Sequence, residues 1–238
     1  MFAGPNGSGK STLKTVLRPE MLGVYLNPDE VEREVQVTGG LDLRPYRVDF
    51  AEGELKAFLR NSPLLRETGL IHAADLISVL PEALIVDRDI ANSYLASALV
   101  DFLRRRLLEV RATFTLETVM SHPSKIAMLH EAQQKGYRTY LYYVATEDPE
   151  INMSRVRNRV QRGGHDVPEE KIIRRYHASL ELLVQAIRHS NRAYLFDNSR
   201  EGEERTWLAE VTEGRELEMK TDQMPAWFKH ALWDKIAS

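Results

Sequence analysis

Apolar residues along this chain fall into short runs set between longer stretches with three- and four-residue spacing. Residues 1–3, 23–26, 113–116 and 192–196 read as strands, and 138–145 (RTYLYYVA) as a strand buried on both faces. Between 90 and 110, Tyr94, Leu95, Ala98, Phe102 and Leu103 share one helical face. Helices are also predicted over about 123–134, closed by Lys135-Gly136 with Gly136 left-handed, from 148 to the Gly163-Gly164 pair, and over 166–190. Strands alternating with helices predict an α/β fold, a parallel sheet with helices on both faces. Trp207, Ala209 and Val211 alternate, as do Leu217 and Met219, around Glu213-Gly214, which predicts a β-hairpin. Residues 225–236 follow as an amphipathic helix whose Trp227, Phe228 and Leu232 dock on the core. Gly39-Gly40, Pro45, Pro63 and Pro81 punctuate short helical patterns at 51–59 and 69–80, so 38–81 reads as a helical insertion. The expected organisation is one domain, 1–238, with that insertion and a 200–238 appendage.

The first chemistry comes at Gly4-Pro5-Asn6-Gly7-Ser8-Gly9-Lys10-Ser11-Thr12, which matches the phosphate-gripping P-loop G-x-x-x-x-G-K-[ST]. Backbone N–H groups of Asn6, Gly7, Ser8 and Gly9 curl inward toward phosphate oxygens. Lys10 supplies charge for the β/γ-phosphates, Ser11 is placed to ligate Mg²⁺, and Thr12 follows. A helix over 11–17 is expected to add its dipole. The strand feeding the loop is only residues 1–3, hence either very short or cut short. The fold class is therefore that of P-loop NTPases.

Composition excludes several alternatives. The 238 residues carry a formal net charge of −3, which points away from nucleic-acid and membrane partners, and there is no cysteine for a disulfide, thiolate metal site or nucleophile. No signal peptide precedes the loop and no apolar run approaches the ~18 residues that span a bilayer. A cytoplasmic protein is expected.

Three further places carry candidate chemistry. Asn27-Pro28-Asp29-Glu30 ends the second strand and opens a helix, with Asn27 as cap and Pro28 in the first turn. Asp29 thus sits at the sheet edge where α/β proteins bind ligands, although Asp29 and Glu30 also suit a helix N-terminus electrostatically. Residues 83–87 (ALIVD) imitate a Walker B strand, but Asp87 is better explained as the start of the next helix, and Arg104-Arg105-Arg106 as its solvated end. Residues 113–116 deliver Glu117, Thr118 and Ser121 to the same edge. Arg155, Arg159 and Arg162 share one helix face and end at Gly163-Gly164, the pattern of a basic lid with a hinge.

No LSGGQ signature and no Asn-Lys-x-Asp motif is present, which argues against an ABC-type ATPase and a GTPase. A P-loop, an acid for the acceptor's proton and a basic lid together make a small-molecule kinase. GPNGSGKST, NPDE, LETVMS, RVRNRVQRGGHDVPEE with IIRRY, and FDNS resemble the zeta toxin-like family of P-loop kinases over residues 1–199. The resemblance implies ATP and Mg²⁺ as cofactors, phosphorylation of UDP-N-acetylglucosamine or a similar nucleotide-sugar, and a small antitoxin partner. It matches Asp29 to the catalytic base and Glu117 to a substrate-binding acid. Arg162 with Arg155 or Arg159 matches the phosphate clamp. Asn198 of FDNS joins the nucleotide residues, and Asn27, Thr118 and Ser121 join Glu117 on the acceptor side. Asn27-Pro28-Asp29 departs from the family's Asp-Asn-Asp, and 38–81 has no counterpart in it. The competing expectation is a nucleotide-binding regulatory ATPase or switch, which needs no acceptor pocket.

Overall fold

The computed structural model describes residues 1–15, 17–164 and 166–236. Val16 of the expected P-loop helix and His165 of the RGGHDVPEE stretch lie outside the described residues. In chain order the strands are β1 (Phe2–Ala3), β2 (Val24–Leu26), β3 (Gly40–Asp42), β4 (Ile77–Leu80), β5 (Ala83–Val86), β6 (Phe114–Thr118), β7 (Tyr140–Ala145), β8 (Arg192–Asp197), β9 (Thr206–Thr212) and β10 (Glu216–Met219). The helices are α1 (Pro19–Leu22), α2 (Pro28–Thr38), α3 (Glu52–Arg60), α4 (Pro63–Glu67), α5 (Ser93–Glu109), α6 (Ser124–Gln134), α7 (Pro149–Gln161), α8 (Glu169–Glu181) and α9 (Leu183–Arg188). Near the end, α10 (Ala226–Phe228) and α11 (Asp234–Ile236) are joined through a π-helical turn over Lys229–Trp233. Two compact units result, Met1–Arg18 with Glu117–Ser238, and Pro19–Leu116.

In the first unit β1 lies between β7 and the last two residues of β6, parallel to both. Beyond β7 come β8, parallel, then β9 and β10, antiparallel. The expected α/β sheet is thus mixed, mostly parallel with an antiparallel edge, and flanked by helices. β1 is only two residues long, yet both are fully buried. β7 is buried from Leu141 to Ala145, which accounts for its unbroken apolar run. The expected hairpin forms, with Val211 opposite Leu217 and Ala209 opposite Met219. Its turn residues Glu213 and Gly214 both have positive φ, 50° and 65°, as a turn matching the strand twist demands. Trp227, Phe228 and Leu232 join Tyr143, Leu195 and Leu208 in one core cluster, so the terminal helix docks as expected.

Helix ends in this unit follow capping chemistry. Gly136 (φ 82°) closes α6, with Tyr137 N–H on the Ala132 carbonyl at 3.0 Å and Gly136 N–H on that of Gln133 at 2.9 Å. The helix expected over 166–190 starts only after Pro168 and is interrupted at Leu182 (φ −82°, ψ −8°), where the backbone tightens. The α-helix expected over 11–17 is a 3₁₀ turn, Lys10–Thr15. Hydroxyls of Thr12 and Thr15 donate to the carbonyls three residues back, each at 2.8 Å, a local bond that favours the tighter coil.

In the second unit β2 pairs in parallel with Phe114–Leu116 of β6. Residues 38–81, expected helical, also contain strands. β3, β5 and β4 form an antiparallel sheet in that order, with Leu41, Ile77, Leu84 and Val86 buried. Ile77-Ser78-Val79-Leu80 alternates in burial as a half-buried strand does, which displaces the helix expected over 69–80. α5 buries Leu95, Ala98, Phe102 and Leu103 on its expected face, while Tyr94, expected with them, is exposed; Phe102 meets Phe50 edge-on at 4.7 Å. Asn92, not Asp87, caps it. Arg104, expected at the solvent, is 3% exposed and pairs with Asp101 at 2.8 Å, one helical turn away. Among the described residues no helix is long and apolar enough to cross a membrane.

Candidate nucleotide-binding site

The loop between β1 and the 3₁₀ turn is held from three sides by the first unit. A Cβ at Gly4 (φ 141°) would lie 2.0 Å from the Val144 carbonyl oxygen of β7, so only glycine fits there. At Gly9 (φ 93°) a Cβ would meet the Asn198 amide nitrogen at 2.4 Å. Asn152 on α7, fully buried, donates to the Asn6 carbonyl and accepts from the Thr146 hydroxyl. The Asn198 amide donates to the Ser8 carbonyl at 2.8 Å, and Arg205 donates to the Thr12 carbonyl at 3.1 Å. Burial pushes the Arg205 guanidinium down from its ordinary value, and one of its terminal nitrogens is buried without a hydrogen-bond partner. The carbonyls of Asn6 and Ser8 are thus taken up by side chains outside the loop.

Lys10, almost buried, donates from Nζ to the Pro5 carbonyl at 2.8 Å. Ser11 Oγ donates to Glu117 Oε1 at 2.9 Å. Glu117 is 6% exposed and sits opposite Phe2 in the β6–β1 register, which carries its carboxylate to the foot of the loop. The acid beside the P-loop hydroxyl is therefore Glu117. Asp87 has another job: it follows β5 of the antiparallel sheet and caps a short turn by accepting from Asp89 N–H at 3.0 Å. This agrees with the simpler reading of 83–87, in which Asp87 starts a turn, here the short one before α5.

The expected arginine face divides. Arg155 donates to the carbonyls of Asn198 (2.7 Å) and Arg200 (3.4 Å), so it braces the β8–β9 loop. Arg159 is half-buried, and Arg162, the C-cap of α7, is exposed. The two glycines that follow end the helix. Gly163 has φ 82°, its N–H meets the Val160 carbonyl at 2.9 Å, and the Gly164 N–H meets that of Arg159 at 3.0 Å. A Cβ on Gly164 would lie 2.6 Å from the Arg159 side chain. The pair thus has a capping role independent of any hinge. Val156, Val167 and Ile172 form a small core between α7 and α8. Tyr176 anchors α8 by donating to the Thr146 carbonyl at 2.6 Å; burial pushes its pKa up and keeps it a donor.

Thr118 accepts from Met120 N–H at 3.1 Å, and Ser121 is half-buried nearby in sequence. In the second unit, buried Asn27 caps α2 as expected by accepting from Asp29 N–H at 2.9 Å. Asp29 follows in the first turn and is exposed.

Comparison with known proteins bears on this arrangement. The family model for zeta toxin matches residues 91–202, from α5 through β8, the stretch that carries Glu117, the arginines and Asn198. A protein of Haemophilus influenzae (strain ATCC 51907 / DSM 11121 / KW20 / Rd), described as an uncharacterized protein, is 33% identical over 175 residues, which are 74% of this chain and 89% of that one. The chain belongs to the zeta toxin-like family. The solved structure of AvrRxo1-ORF1:AvrRxo1-ORF2 with sulphate ions is similar in fold, with a TM-score of 0.57 at 15% identity. The match takes in all of this chain, which spans 63% of that one.

A zeta toxin-like chain is a P-loop kinase-like phosphotransferase, and the first unit fits a nucleotide. The loop is built around glycines that nothing else replaces, with Lys10 at its centre. Among the described residues no group of three or more His, Cys, Asp or Glu is placed to hold a metal ion. A hydroxyl and a single carboxylate at 2.9 Å fit Mg²⁺ of the nucleotide kind, which takes one or two protein oxygens and draws the rest from phosphates and water. Sequence patterns did not single out Asn152, Arg205 or Thr146. No local signal marks them, since each matters only through what the fold brings beside it.

Proposed function

We propose that this zeta toxin-like protein transfers the γ-phosphoryl group of ATP, with Mg²⁺, to a hydroxyl of a small molecule. A nucleotide-sugar such as UDP-N-acetylglucosamine is the leading acceptor. The observation that carries the proposal is the Ser11–Glu117 hydrogen bond at the foot of the P-loop. A P-loop hydroxyl beside a carboxylate is the kind of pair that holds a nucleotide-bound metal in P-loop enzymes, which supports this reading. Bound Mg²⁺ would neutralise charge on the β- and γ-phosphates.

The chain's own groups supply the rest. The loop N–H groups bind the phosphates, and Lys10 exchanges the Pro5 carbonyl for a phosphate oxygen, a stronger charge-assisted partner. Asp29 accepts the proton of the acceptor hydroxyl. Arg159 and Arg162 stabilise charge on the transferring group, while Arg155 keeps the β8–β9 loop in place. Asn27, Thr118 and Ser121 orient the acceptor. AvrRxo1-ORF1 was solved together with AvrRxo1-ORF2, and a small inhibitory protein partner for this chain is proposed by analogy.

Incubation with ATP, Mg²⁺ and a panel of nucleotide-sugars tests the reading. Mass spectrometry should find a product heavier by ~80 Da, one phosphoryl group. Phosphate release with no phosphorylated product would instead favour a nucleotide-dependent switch.

A further inference from the structure

The nucleotide reading leaves the C-terminal segment without a task, yet hydrogen bonds lead from it to the P-loop. The Trp227 indole N–H donates to Asp197 Oδ2 at 2.7 Å. The same oxygen accepts from the Ser199 hydroxyl at 2.8 Å, and Oδ1 accepts from Ser199 N–H at 3.1 Å. The Ser199 hydroxyl in turn accepts from Glu147 N–H at 2.8 Å, and the Glu147 carboxylate accepts from Ala226 N–H at 2.9 Å. Trp227 therefore holds the 197–199 loop directly at Asp197, and Ala226 holds it through Glu147 at Ser199.

Asn198 stands between the two gripped residues. Its N–H is held by the Ala145 carbonyl at 2.9 Å and its carbonyl by Arg155 at 2.7 Å. With the backbone set in this way, its side-chain amide reaches the Ser8 carbonyl at 2.8 Å and packs against Gly9. A carbonyl held outward at Ser8 turns the following peptide N–H inward, toward the phosphate position.

We infer that Asp197 and Trp227 are positioning residues for the nucleotide, acting through Asn198 on the shape of the P-loop. Trp227 itself is 4% exposed and packs among Tyr143 and Phe228, so its ring is a core element while its N–H serves the loop. The C-terminal helix is thereby part of the nucleotide site's construction. This rests on the nucleotide reading for its functional meaning, whereas the mechanical link to the loop does not.

Trp227→Phe removes the N–H and keeps most of the apolar ring. Two readouts apply, well below the unfolding temperature: binding of a fluorescent ATP analogue, and hydrogen exchange of the 6–9 amides in nucleotide-free protein. The variant should bind about five- to tenfold more weakly, the scale of one hydrogen bond's worth of pre-organisation, and its loop amides should exchange faster. In an Asn198→Ala background the same change should add nothing, because the link is already cut. Asp197→Ala should reproduce the effect more strongly; if it does not fold, Trp227→Phe alone carries the test. A Trp227→Phe protein that melts earlier but keeps wild-type affinity and loop exchange would overturn the inference. Should the wild type bind no ATP analogue, the proposed function fails, and the exchange measurement still decides the link.

Discussion

Glu117→Gln separates two roles for the buried acid on β6. The substitution keeps the volume and an oxygen that can accept from Ser11, whose hydroxyl lies 2.9 Å away, but removes the negative charge. If the carboxylate supports a metal at the loop, its charge acts over about 4 Å, where unit charges at an effective dielectric of 20 interact by about 4 kcal/mol. Retaining half of that after desolvation, about 2 kcal/mol, corresponds to roughly a 30-fold loss of Mg²⁺-dependent nucleotide affinity or turnover. Folding should not suffer, since a 6%-exposed charge is replaced by a neutral group that preserves the hydrogen bond. Calorimetric titration of ATP with and without Mg²⁺ is the assay. The expected result is a large loss with Mg²⁺ and little change without it. If Mg²⁺ dependence is intact and only the acceptor's KM rises, Glu117 binds the acceptor, as the family resemblance by itself implies, and the metal-site argument is wrong.

The other predictions concern the remaining charged groups. Lys10→Ala should lower phosphoryl transfer by more than ~100-fold, the usual scale for a preorganised charge, and wild-type rates in that variant would sink the P-loop assignment. Asp29→Asn, which keeps shape and capping, should fold and bind ATP normally yet lose transfer by about 100-fold; early melting with full specific activity would make Asp29 a helix-start residue only. Arg162→Ala should reduce kcat more than it raises the KM for ATP, whereas Arg155→Ala should act chiefly on nucleotide binding because it releases the Asn198 and Arg200 carbonyls. Equal kinetic profiles for the two arginine variants would refute that division.

What was legible in the sequence was local. The P-loop, the left-handed Gly136, the Asn27 cap and the hairpin at Glu213-Gly214 each follow from a few adjacent residues obeying one backbone rule. Within 38–81 the helix expected over 51–59 forms as α3, but strands β3 and β4 are three and four residues long and exist only through pairing with β5, which no helical or alternating window reveals. Helical spacing put Arg155, Arg159 and Arg162 on one face, but spacing says nothing about what that face meets, and Arg155 meets backbone carbonyls.

The two candidate acids show the same limit at the site itself. Asp87 follows four apolar residues and looks like the acid of a nucleotide-binding strand, while Glu117 follows only a short β-branched and aromatic stretch. The apolar run does not by itself make Asp87 that acid, because a helix start explains it better. Position decides for the second, because the acid that reaches Ser11 must lie on the strand hydrogen-bonded to β1, and β1 pairs with β6 through Phe2 and Ala3. Strand adjacency is set by the packing of the whole sheet, where the buried β7 on the other side of β1 leaves one neighbouring place. An acid in a P-loop sequence is thus identified by which strand neighbours the loop's own, and the apolar run before it carries little weight.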